Sequence, residues 1–159
     1  MKELRSILLL DMSFTLSMFQ ERGLLQALES RKLNGYFNRV ISVHPLAGLF
    51  ARGDRRFGGP AVTNIDGEHC FVEGTVGISH LLSFFPALNL VLAQVRLLFL
   101  LRRMARDAKV DVIRIGDPYY LGIFGWLLSK LLGVPLVARI CFDYDLLYST
   151  SGRAVFPRL

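Results

Sequence analysis

Little in this chain is suited to metal, redox or disulfide chemistry. Its two cysteines, Cys70 and Cys141, lie far apart, form no CxxC pair and have no histidine at ligand spacing. Reduced thiols, one or both buried, and no metal site are therefore expected. A spanning helix is also missing. The most apolar run, Leu81 to Leu101, is interrupted by Pro86, Asn89, Gln94 and Arg96, whereas a membrane span wants about 20 nearly uncharged residues. The start, Met1-Lys2-Glu3-Leu4-Arg5, leads into an apolar run that Asp11 ends too soon for a signal-peptide core. A cytoplasmic protein is the expectation. There is no GxGxxG after the first strand-like segment and no GxxxxGK(S/T) anywhere, which argues against a dinucleotide-binding domain and a P-loop. No internal repeat or low-complexity tract is present.

Acidic residues are in deficit, 13 Asp and Glu against 19 Lys and Arg, for a net charge of +6. The basic residues cluster at Arg52, Arg55 and Arg56, and again at Arg102, Arg103, Arg106 and Lys109. These clusters are either a solvated loop and helix end, or a surface for a phosphorylated substrate or an anionic membrane at the inner face. Nucleic acid is not an expected partner, because no recognised binding motif accompanies the charge.

What remains is a core-rich globular chain. Of its 159 residues, 52% are hydrophobic and 20% charged, with a mean hydropathy of +0.41, so one domain with a substantial core is expected over 1–159. Arg5 to Asp11 (RSILLLD) reads as a buried parallel strand. Ser17 is a candidate N-cap, with Glu21 following, for a helix to about Lys32 whose apolar face holds Phe19, Leu24, Leu25 and Leu28. Arg39 to His44 reads as a second strand, ended by Pro45. Ala51 to Asp66, rich in Gly and Arg, reads as an exposed loop, and Glu68 to Val76 as a third strand at a sheet edge. Pro86 opens a long helix to about Ala108. Its apolar residues cover most of the circumference, which demands cover by the sheet and by something else.

Asp111 to Gly116 reads as a strand, Asp117-Pro118-Tyr119-Tyr120 as a turn, and the following helix runs to Leu132, with Gly133 as its left-handed cap. Leu136 to Cys141 is another strand. Strand, helix and strand form a βαβ unit, and the whole gives an α/β, Rossmann-like open, mostly parallel sheet with helices on both faces.

Ligands in such sheets sit outside the carboxyl ends of the strands. That rule selects Asp11, Met12, Ser13, Phe14 and Thr15 after the first strand. It selects Gly116, Asp117, Tyr119 and Tyr120 after the DVIRIG strand, and Phe142, Asp143, Tyr144, Asp145 and Tyr148 after the LVARIC strand. Carboxylates accept hydrogen bonds from sugar hydroxyls, and aromatic faces stack on sugar C–H surfaces. The alternative is that Asp117 caps its helix and the tyrosines pack. Gly122 and Gly125 are expected to permit close helix–sheet packing. Arg114 and Arg139 sit on apolar strands just short of their ends. They either hold a phosphate or carboxylate or form structural ion pairs with Asp11, Asp117 or Asp143.

The segment DVIRIGDPYYLGIFGWLLSKLLGVPLVARICFDYD, about a quarter of the chain, resembles the N-terminal domains of the family 4 glycosyltransferases. The order of Asp111-Val112-Ile113, Asp117-Pro118, Leu121-Gly122 and Leu131-Leu132-Gly133-Val134-Pro135 carries the likeness. The resemblance implies one half of a GT-B fold, the half that usually holds the acceptor, and a reaction that moves a sugar from an activated, nucleotide-linked donor to a glycan or lipid-linked acceptor without an obligatory metal. Helix dipoles and basic side chains would steady the leaving diphosphate. Asp117, Tyr119, Tyr120, Asp143, Tyr144 and Asp145 become the acceptor-side candidates, Met12, Ser13 and Phe14 the donor-side loop, and no bound cofactor is expected. Two positions depart from the family pattern. The loop at Met12–Phe14 has no glycine, and Cys141 or Phe142 stands where a histidine is usual, so catalytic residues are left unassigned. The donor-binding C-terminal domain is expected as a missing partner, and the chain alone is expected to be inactive. A non-catalytic membrane-surface or partner-binding module is the competing expectation, motivated by the all-round apolar helix from Pro86 and the basic cluster at its end.

Overall fold

The computed structural model describes residues 5–50 and 56–139. Six strands form one sheet in the order β3-β4-β2-β1-β5-β6. They are β1 (Ser6–Leu10), β2 (Arg39–His44), β3 (Ala61–Asn64), β4 (His69–Glu73), β5 (Val112–Ile115) and β6 (Leu136–Ala138). All neighbours pair in parallel except β3, which runs antiparallel to β4 at the edge. The Rossmann-like architecture expected from the sequence is thus present. β1 lies between β2 and β5, and all five of its residues are buried. A strand covered on both faces and paired on both edges can be uniformly apolar, which is why SILLL shows no alternation.

The helices divide between the two faces. On one face lie α2 (Pro86–Asp107) and α3 (Tyr120–Leu132). Ala93, Leu97, Leu101 and Ala105, spaced one turn apart, turn α2 onto Leu8, Leu10, Ile41, Val43 and Val72 of the sheet. α3 docks through Leu121, Phe124, Gly125 and Leu128. Gly125 is needed there, since a Cβ would stand 2.6 Å from Cγ2 of Ile115 and 3.1 Å from Cδ1 of Leu136. Gly122 has no such role, its nearest neighbour lying 4.0 Å from a Cβ. Gly133 ends α3 at φ +71°, as expected of a left-handed cap.

The other face is covered by α1 (Leu16–Glu21) and a 3-10 segment, Leu25–Lys32. One helix from Ser17 to Lys32 was expected, but a turn at Arg22–Gly23 splits it, and the N-cap is Thr15, whose hydroxyl accepts from the Met18 amide at 3.3 Å. Ser17 instead meets the Thr15 hydroxyl at 3.0 Å. Phe19 and Leu28 are buried, with Leu16 and Phe71, whereas Leu24 and Leu25 are exposed because the break rotates them off the inner face. Two further expectations are corrected. Ala61–Asn64, placed in a loop, is a strand with every residue exposed, so it carries no alternation to read. It also takes the edge position that had been given to β4.

Asn89, a polar interruption of the apolar run, is 1% exposed. Its Oδ1 accepts from the Ile78 amide at 2.7 Å and its Nδ2 donates to the Ser79 carbonyl at 2.8 Å, which fixes the approach to α2. Among the described residues, no helix is long and apolar enough to cross a membrane. Cys70 is half-buried, a free thiol whose ionisation burial pushes up, and Cys141 lies outside the described residues.

The two sides of α2 should respond differently to truncation. Leu97→Ala, at a position with no exposure, should cost about 2–5 kcal/mol and lower Tm by roughly 5–15 °C. Val95→Ala on the open side should change stability by no more than about 0.5 kcal/mol. Thermal unfolding of the two variants beside the parent checks this.

Candidate functional site

The chain steps from β1 outward to β2 and β4, then returns across the sheet through α2 to β5 on the other side of β1. The loops leaving β1 and β5 therefore run to opposite faces, and a crevice opens between the ends of those two strands. Such a switch point is where open α/β sheets bind ligands. The parallel register brings the ends to one level. Leu10 is opposite both Val43 and Ile115, and Ile115 is opposite Ala138. Each strand adds one more bond beyond its end, Asp11 N to Val43 O, Gly116 N to Leu10 O and Arg139 N to Ile115 O. Asp11, His44, Gly116 and Arg139 thus share a rim.

Asp11 organises the first loop. Its Oδ1 accepts from the Ser13 amide at 2.9 Å and the Ser13 hydroxyl at 2.6 Å, closing a tight turn without glycine. Met12 packs toward the α2–α3 core, Ser13 is exposed at the tip, and Phe14 packs on Phe19 with ring centroids 5.4 Å apart. Of the three expected loop residues, Ser13 alone is exposed for a ligand.

Across the crevice, Asp117 is 7% exposed. Its Oδ1 accepts from the Tyr119 amide at 2.9 Å, which starts α3, while its Oδ2 is buried with no hydrogen-bond partner among the described residues. Both sequence readings of Asp117 are therefore compatible with it, one oxygen serving the turn and the other spare. Burial raises its pKa, amide donors oppose the shift, and the nearby Asp11 carboxylate adds to it. Gly116, between them, leaves Asp11 Oδ1 only 3.6 Å from where a Cβ would be. Tyr119 is exposed. Tyr120 is not a rim group. Its hydroxyl donates to Gln94 Oε1 at 2.7 Å, and burial, then the Asp117 charge, raises its pKa.

Beneath the rim, the sheet face turned to α1 mixes polar groups with the apolar Ile7, Leu9, Val40 and Phe71. The alternation of strands puts Ser42 and His44 of β2, His69 and Glu73 of β4 and Arg114 of β5 on this side. Arg31 lies over them. Its guanidinium lies over both the Phe19 and Phe71 rings, 5.4 and 5.8 Å from their centroids, and reaches Asp11 Oδ2 at 3.2 Å. Burial lowers its pKa, Asp11 opposes that, and the nearby Arg114 charge adds to the lowering. Its Nη1 is buried with no partner among the described residues. His44, with no exposure, stacks edge-on against Phe50. Carbonyls of His44 and Met12 come near the ring, but neither nitrogen meets hydrogen-bond geometry. Glu73 accepts from the Leu16 amide at 3.0 Å and so holds the start of α1.

Asp11 thus pairs with Arg31 rather than with Arg114 or Arg139. Those two arginines do share a face, since Arg114 is opposite Val137 and Arg139, two residues after Val137, continues the ladder just past β6. Phe142, Asp143, Tyr144, Asp145 and Tyr148, with Arg52 and Arg55, lie outside the described residues. The sequence reading missed Arg31, which looked like a helix-end cation, and His44, which looked like a strand terminus. A cation in an apolar-faced segment and a histidine closing an apolar strand were the available signals. An open cleft of about 300 Å³ occurs at the opposite, amino-terminal end of β2 and β4, lined by Arg39, Asp66 and His69 among others. The switch point remains the candidate because the spare polar atoms converge there. No group of His, Cys, Asp and Glu able to hold a metal occurs among the described residues.

Comparison with protein-family models, curated proteins and solved structures matches nothing to this chain. The site is therefore read from its own geometry.

The buried histidines make a pH signature. His69 receives or gives one hydrogen bond, Ser42 Oγ to Nε2 at 2.7 Å, and burial, aided by Arg31, lowers its pKa from 6.5 to about 4. His44 is lowered in the same direction by burial. Below pH 6.5 the unfolded chain binds a proton that folded His69 refuses, so stability is full above that pH and falls toward pH 4. For His69 the loss is on the order of 3 kcal/mol. Urea unfolding from pH 7 to pH 4 should show that slope, and His69→Gln, which cannot titrate, should flatten it.

Proposed function

We propose that this chain is the acceptor-side domain of a glycosyltransferase of the GT-B type. In that role it would take part in moving a sugar from an activated, nucleotide-linked donor to a glycan or lipid-linked acceptor. The observation that carries the reading is the buried Asp117 carboxyl at the switch point, its Oδ2 without a hydrogen-bond partner among the described residues and the group close enough to Asp11 to feel its charge. Two carboxylates at a crevice, with the exposed Tyr119 ring beside them, suit a polyhydroxylated ligand. Carboxylate oxygens accept from adjacent hydroxyls in charge-assisted bonds, and the ring offers a face to the C–H side of the sugar. Arg31 and Arg114, close enough to repel, concentrate positive charge under the same rim. Such charge would favour the leaving diphosphate of a donor held by a facing domain. The likeness of residues 111–145 to family 4 N-terminal domains supports the same reading. Asp143, Tyr144 and Asp145 are carried forward as acceptor candidates on that likeness alone.

A smaller phosphorylated ligand would also suit the arginines, but it leaves the Asp11–Asp117 pair without a role, since carboxylates repel phosphate. The competing module reading, a surface for membrane or protein, concerns the opposite face of the sheet and does not use the crevice.

Chemical-shift mapping with a set of mono- and oligosaccharides tests the proposal. Binding should move the amides of Asp11, Ser13, Asp117 and Tyr119, and Asp117→Asn should weaken it by about tenfold, as loss of one charged hydrogen bond implies. Perturbations confined to another region, or undiminished binding by Asp117→Asn, would refute it.

A further inference from the structure

The face of α2 and α3 turned away from the sheet is apolar and bare. The 3-10 segment His80–Phe84 that leads into α2 contains no buried residue. Leu81 is 86% exposed, Phe84 88% and the adjoining Phe85 65%. Along α2, Leu88, Val91, Leu92, Val95 and Phe99 recur at helical spacing and are all exposed. α3 lies beside α2 on the same side of the sheet and exposes Ile123, Trp126, Leu127 and Leu131. Single exposed apolar side chains are ordinary, but a continuous surface of this kind marks a docking face.

Charge identifies what docks. From position 74 to position 106 the chain has no Asp or Glu, and it carries Arg96, Arg102, Arg103 and Arg106. The 13 residues of α3 likewise include no acid, with Lys130 in the last turn. The outer stripe of α2 is apolar over its first turns and basic over its last, with Arg103 four residues and Arg106 seven residues beyond Phe99. A symmetric contact with a second copy would set arginine against arginine, and an uncharged apolar partner would leave them unused. Aromatic residues at an apolar–polar boundary, joined to a margin with three arginines against the single Asp107 that ends α2, match the surface of an anionic bilayer. We infer that this face docks the protein on an anionic phospholipid membrane, with Leu81, Phe84 and Phe85 entering the headgroup boundary and Arg96, Arg103 and Arg106 meeting lipid phosphates. No helix among the described residues can span the bilayer, so the protein lies on the membrane. The inference uses none of the crevice residues and stands whichever ligand the crevice takes.

The chain has one tryptophan, and Trp126 is on this face, 53% exposed, so its emission reports docking directly. The experiment is vesicle flotation at low salt, with phosphatidylcholine alone and with equal parts phosphatidylcholine and phosphatidylglycerol. The chain should float with the anionic vesicles only, Trp126 emission should shift to the blue, and brominated lipid should quench it. F84S/F85S and R103E/R106E should each bind at least about tenfold more weakly, while L24S/L25S on the opposite face should bind as the parent does. Four results would overturn the inference. They are absence of flotation, equal binding by the first two variants, an equal loss in L24S/L25S, and a dimer that shields Trp126 without lipid. Unquenched Trp126 in vesicle-bound parent protein would do so as well, independently of how any variant folds.

Discussion

Everything at the rim depends on the position of β1. It is hydrogen-bonded in parallel to β2 on one side and β5 on the other, and no residue in it is more than 3% exposed. Because the chain leaves it in one direction and returns on the other side, the loops after β1 and β5 part. Asp11 and Asp117 are left facing each other with only Gly116 between. Were β1 at an edge, both loops would run to the same side and the two carboxylates would not meet. The apolar run Ser6–Leu10 therefore does more than supply core. Its burial on both faces is what fixes a central location, and the central location makes the crevice.

The two faces of the sheet are built on different physics. Toward α2 and α3 the contacts are aliphatic and close-packed, down to the missing side chain of Gly125. Toward α1 the strands present Ser42, His44, His69, Glu73 and Arg114, and Arg31 is laid across them. A buried guanidinium with one nitrogen, and a histidine with both, unsatisfied among the described residues cost stability that aliphatic residues of similar volume would not. Polar groups of this kind beside a crevice mark a candidate site. The aromatic rings of Phe19 and Phe71, over which the Arg31 charge lies, offset part of the cost.

How much of this was legible follows from which signals are local. Strands buried on both faces, SILLL and VISVH, announce themselves as apolar runs, and Pro86 and Gly133 mark helix ends by backbone geometry alone. The crevice carboxylate Asp117 was found because the rule about strand ends needs only the strand ends. What failed was information that is not local. Ala61–Asn64 is a strand only because β4 offers it an edge, and the helix break at Arg22–Gly23 is set by what Phe19 and Leu28 must reach. Arg31 and His44 belong to the site through the third dimension, since Arg31 is 20 residues from Asp11 in sequence and 3.2 Å from it in space. Tyr120 was read by residue type alone, and the hydroxyl is committed to Gln94.

That last bond ties the two helices of one face together. Gln94 sits on α2 and accepts from Tyr120 at the start of α3. Its Nε2 also donates to the carbonyls of Pro45 and Thr75 at 3.3 and 3.1 Å. Pro45 follows β2 and Thr75 follows β4, so one amide side chain links both helices of the outer layer to two loops at the rim. Asn89, one helical turn and a half earlier, does the same for Ile78 and Ser79. The helices therefore do not float on the sheet as an apolar sheath. They are pinned at the rim end by oriented hydrogen bonds, and at the basic end the Ser6 hydroxyl of β1 donates to the Ala108 carbonyl that caps α2, at 2.9 Å. If α2 and α3 rest on a lipid surface, as inferred above, these bonds hold the rim at a set height and tilt over that surface. On the proposed function, a lipid-linked acceptor would then meet Asp11 and Asp117 at a distance fixed by the fold rather than by diffusion of the protein.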